Sequence, residues 1–151
     1  MPREARIFVK TGLVYLVLTF ALGGVLLVLK ALGRSVPYVF SVEHAHLGEV
    51  GWLVDLVIGI ALWMLPLNRE RFPVTQGRYP TLAVSTSFVL LNSGLVLRLR
   101  AAPWNQLSGN APVAATLLAL AAISQPAAIA LFVFVAWQRV RAPRHPAPGV
   151  Q

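Results

Sequence analysis

Residues 43–66 read EHAHLGEVGWLVDLVIGIALWMLP. From Leu47 onward the stretch is almost wholly apolar, and it is close to the roughly 20 residues that cross a 30 Å hydrocarbon core as a helix. It nevertheless carries His44 and His46 at its head and three acids, Glu43, Glu49 and Asp55. Ionisable groups are costly inside a bilayer, and where they occur they mark functional positions. A neutral imidazole at the head of an apolar helix is also a ready axial ligand for iron, because the ring nitrogen needs no deprotonation.

Composition puts the rest of the chain in the same solvent. Of 151 residues, 57% are hydrophobic and only 12% charged, with a mean hydropathy of +0.70. A soluble domain carries about a quarter charged residues, so the expected class is an all-α integral membrane protein. Four apolar spans can be marked, at about 13–29, 46–67, 82–97 and 112–137. Helices are expected because lipid offers no partner for unpaired backbone groups and nothing alternates like a barrel strand. The segments between them combine Gly or Pro with polar residues: KALGRSVPY, NRERFPVTQGRYP and RLRAAPWNQLSGNAP. Residues 1–140 read as one four-span domain, and the tail 141–151 as a disordered end. The first span is too long for a signal peptide and no small-x-small cleavage site follows it, so it is expected to be a mature helix.

The net charge of +8 is topological. The basic residues sit between apolar runs, with no basic face or aromatic interleaving of the kind that binds nucleic acid. Arg3, Arg6, Lys10, Arg69, Arg71, Arg78, Arg139, Arg141 and Arg144 fall on one side, against Lys30, Arg34, Arg98 and Arg100 on the other. The positive-inside rule then places both termini in the cytoplasm of a cell whose inner (plasma) membrane holds the protein. His44, His46, Arg98 and Arg100 share the outer side. With no cysteine there is no thiolate metal site, iron–sulfur cluster or covalent haem attachment.

A haem set edge-on between helices needs imidazole for iron, cations for its propionates and small residues where the macrocycle lies flat. His44, Gly48, Gly51, Asp55 and Gly59 form a small and polar stripe at helical spacing. His46 lies about 200° away from His44, so the two cannot serve one iron. Plainer readings stand beside these. The histidines can be interfacial residues bonded to loop carbonyls or Glu43, and Arg98 and Arg100 can be snorkelling at a span end. Asp55 and Glu49 can form a proton path, or a protonated carboxyl can bond Ser, Thr or Asn of a neighbouring helix. Trp52, Trp63, Trp104 and Trp137 fit an interface belt or core.

The stretch HAHLGEVGWLVDLVIGIALWMLP resembles the second transmembrane helix of the haem–copper oxidase and nitric oxide reductase catalytic subunits and small four-span proteins related to them. The resemblance covers about 25 residues, with GLVLRLR after the third span as a weaker echo. It implies a haem-b or haem-a site, b-type foremost, ligated by His46, with Arg98 and Arg100 matching the propionate-pairing arginines by role only. The family's oxygen-reducing centre needs further histidines, whereas this chain has His44, His46 and His145. The expectation is therefore a cytochrome-like protein for electron transfer or haem-linked gas binding, with a homodimer able to supply the second axial ligand. The alternative is a non-haem accessory or assembly subunit packed on a respiratory complex. No nucleophile with a base, phosphate loop or metal cage of known spacing is present, so nothing in the sequence marks the chain as an enzyme.

Overall fold

The structure, a computed structural model, describes residues 1–109 and 111–140. His145 and the 141–151 tail lie outside the described residues. Four helices carry the fold: α1 (Arg3–Ala31), α2 (Tyr38–Met64), α3 (Thr81–Leu107) and α4 (Pro112–Trp137). Each is long and apolar enough to cross a membrane, and no strand occurs among the described residues. The chain is an all-α, multi-pass membrane protein.

Proline and glycine set the helix limits. Pro2, Pro37 and Pro80 stand at the N-caps of α1, α2 and α3, and Pro112 opens α4, where a missing N–H costs nothing. At the end of α1, Gly33 takes φ +68°, Arg34 N–H bonds Leu29 O and Gly33 N–H bonds Lys30 O. That is the paired-bond closure a left-handed glycine permits. Two helices outrun their apolar spans. α1 starts ten residues before Leu13, and α3 continues ten residues past Leu97 through Arg98, Arg100 and Pro103. Much of what reads as the third connection is therefore helical. Hydropathy finds the part of a helix that lies in lipid, whereas Arg, Lys and Glu extend it into water at little cost.

The helices pair as two antiparallel hairpins, α1 with α2 and α3 with α4, joined mainly through the α2–α3 face. The core draws on all four: Ala5 and Phe8 of α1, Ile58 and Leu62 of α2, Val84 and Leu91 of α3, Ala128 and Val135 of α4. Phe8 meets Phe88 edge-on, with centroids 5.0 Å apart. The outward faces of α1 and α4 leave Val17, Phe20, Leu27, Ile123 and Phe134 exposed, as lipid-facing surfaces require. Tyr38 and Trp104 are exposed at one end of the bundle and Trp63 and Trp137 at the other, where aromatic belts lie. Trp52 is half-buried instead.

The end of the bundle away from the histidines is tied by side chains. Arg139, just beyond α4 and 1% exposed, donates to the carbonyls of Leu62 (3.0 Å), Pro66 (3.2 Å) and Leu65 at the C-terminal end of α2. These carbonyls have no partner within the helix because α2 stops there. The guanidinium also lies 5.5 Å from the Tyr79 ring centroid, and the Tyr79 hydroxyl donates to Glu4 of α1 at 3.3 Å. Asn68 Nδ2 reaches Gln138 O at 2.5 Å.

Candidate functional site at the head of the second helix

Between Leu47 and Val54, α2 is wound as a π-helix. Eight residues is long for a form that usually appears as single-turn bulges, often at functional sites. The wider winding contains Gly48 and Gly51, which lack the side chains that would crowd the neighbouring helix.

The small and polar stripe faces α1 along its whole length. A Cβ at Gly23 of α1 would stand 2.7 Å from His44 Cε1, so the imidazole lies against bare backbone. Gly48 faces Thr19, Gly51 faces the Tyr15 ring and Leu95, Gly12 receives the α2 backbone at Trp52 and Leu56, and Gly59 receives Ala5 and Val9. The register is antiparallel and regular. These positions hold side chains and backbone of α1 and α3, which leaves no slot for a macrocycle inside the α1–α2 seam. His44 is held in that seam, and its Nδ1 is buried with no hydrogen-bond partner among the described residues.

On the adjoining face α2 meets α3. Glu43, 3% exposed, forms an ion pair with Arg98 at 3.2 Å from Oε1 to Nη2. His46, one turn on from Glu43 in α2, is half-buried. The structure thus brings Glu43 and Arg98 together at one end of neighbouring helices, with His46 one turn along α2 from Glu43, and it puts His44 on a separate face, as the 200° offset requires. Arg98 has Glu43 for a partner, an assignment sequence reasoning missed. Arg100 is exposed. No group of three or more His, Cys, Asp or Glu side chains that could hold a metal ion occurs among the described residues.

Two turns deeper, Asp55 of α2 is fully buried, and its Oδ1 accepts from Asn92 Nδ2 of α3 at 3.3 Å. Asn92 Nδ2 also donates to Phe88 O at 3.1 Å. Glu49 is exposed. On α4, Gln125 next to Pro126 has a buried Nε2 without a partner, so it supplies no hydrogen bond from that atom to the backbone the proline interrupts.

No protein-family model, curated protein or solved structure matches the chain.

Proposed function

We propose that this chain is a haem-binding protein of the inner (plasma) membrane, with His46 as axial ligand to a b-type haem, serving electron transfer or haem-linked gas binding. The observation that carries this reading is the Glu43–Arg98 pair at one end of adjacent helices, with His46 one turn on from Glu43 in α2. An imidazole and a guanidinium able to bond a carboxylate thus share one end of the bundle, and these are the two groups a haem edge demands. The resemblance of residues 44–66 to the haem-ligating helix of the oxidase family supports the same residue. When bound, the haem supplies one-electron chemistry whose potential the axial ligand and nearby charge set. The glycines of the α1–α2 seam are filled by α1, so His46 and Arg98 are the residues that would hold the haem, and a second copy of the chain would supply a second axial histidine.

Haem content separates the two imidazoles. His46→Ala should purify from membranes with haem abolished or strongly reduced, while His44→Ala should retain most of it. The reverse outcome would assign the iron to His44.

A second reading has its own support. Tight glycine packing and an internal partner for Arg98 also suit a non-haem accessory subunit that docks on a respiratory complex through its exposed apolar faces. A colourless protein that copurifies with such a complex is the outcome that reading expects.

A further inference from the structure

Asp55 and Asn92 form a pair with one proton's worth of unmet bonding. Asp55 is 0% exposed, in the interior of α2, and no cation lies within ion-pair distance of it among the described residues. Both hydrogens of the Asn92 amide have acceptors, Phe88 O and Asp55 Oδ1. Two acceptor oxygens are left over. Asp55 Oδ2 and Asn92 Oδ1 are both buried and lack a hydrogen-bond partner. A bare carboxylate in this setting carries the desolvation penalty of a charge in addition to that of the two orphaned oxygens.

A carboxylic acid and a carboxamide are matched planar forks. The amide N–H donates to one carboxyl oxygen, and a proton on the other carboxyl oxygen donates to the amide carbonyl. We propose that Asp55 is a proton-binding site in the membrane interior, holding a proton on Oδ2 at neutral pH and donating it to Asn92 Oδ1 across the α2–α3 interface. One proton removes the buried charge and satisfies both oxygens.

The groups packed around Asp55 agree with a neutral acid. From α1, Gly12 lies against the Asp55 Cβ, and the titratable residue one turn on, Tyr15, has its ring against Gly51. From α3 the neighbour is Asn92, while Arg98 is taken up by Glu43. The polar α4 side chains nearest this level of α3, Ser124 and Gln125 against Gly94, are uncharged. A metal cation fits the site less well, because hard cations require six or more oxygen ligands and the pair offers two. This assignment stands independently of the haem reading.

Infrared difference spectroscopy on the full chain in lipid, wild type minus Asp55→Asn, tests it. Asn at position 55 can still exchange two hydrogen bonds with Asn92, so that variant is expected to fold. At neutral pH the difference spectrum should contain a protonated-carboxyl C=O stretch and no carboxylate stretches. In Asn92→Leu the same stretch should move to higher frequency as its hydrogen bond is lost, which keeps the test available if Asp55→Asn fails to accumulate. Carboxylate stretches in place of the C=O band would overturn the proposal. So would a band indifferent to Asn92→Leu, or one replaced by carboxylate stretches when sodium is raised.

Discussion

Gly59 and Gly24 are both glycines in helices, and their surroundings assign them opposite sensitivities. A Cβ at Gly59 would stand 2.9 Å from Ala5 O and 3.0 Å from Val9 N, both backbone atoms that cannot rotate away. Gly59→Ala should therefore force α1 and α2 apart and lower thermal stability in detergent by roughly 1–3 kcal/mol, the usual cost of overpacking. Nothing lies within 4 Å of a Cβ at Gly24. Gly24→Ala should be neutral or stabilising by up to about 1 kcal/mol, through helix propensity alone. Equal melting shifts for the two would show that the seam is looser than described. The stripe His44, Gly48, Gly51, Asp55 and Gly59 was legible from spacing, and it does share one face. Its occupant was not, because small residues at helical spacing suit a flat cofactor and a close neighbouring helix equally well. The partner of Glu43 was illegible for a related reason: the α2–α3 register depends on side chains of both helices, and hydropathy records neither.

At the scale of elements, the end of α2 depends on a residue 73 positions after the last carbonyl it serves. Arg139→Lys should loosen this end, since one ammonium cannot reproduce a planar fork aimed at three carbonyls. Arg139→Ala should cost roughly 1–3 kcal/mol for each carbonyl left dry. Faster amide exchange across residues 65–80, with the interiors of α3 and α4 unchanged, is the expected signature. The same cluster sets a pH limit. Burial, reinforced by Glu4, raises Tyr79 from the ordinary value of 10.0 to about 12. A group with a raised folded value contributes stability that is complete below its unfolded value. The contribution is then lost as pH rises through the folded one, at up to about 1.4 kcal/mol per unit. Stability of the wild type should therefore fall between about pH 10 and 12, and Tyr79→Phe should flatten that limb of the curve. None of this could be read from the sequence, where Arg139 counts only as one basic residue after the fourth span. The π-wound stretch of α2 was equally hidden, since a hydropathy span has the same length and composition whichever ladder its backbone follows.

For the whole molecule, four helices follow from composition and length, because lipid leaves the backbone no other way to satisfy its polar groups. Their orientation rests on the nine-to-four division of basic residues. Reporter fusions at Val74 should report cytoplasm and those near Asn105 the outside, and an external Val74 would invert the assignment. The pairing of helices needed side-chain contacts, because four apolar spans can be arranged in many ways at similar hydrophobic gain. The function reading depends most on whether the bundle holds a haem at all. An ultraviolet–visible spectrum of the detergent-purified wild-type protein, oxidised and then reduced with dithionite, measures this directly. A Soret band that sharpens on reduction, with resolved α and β bands, is the predicted result; a featureless visible spectrum from folded protein produced with ample haem would contradict it.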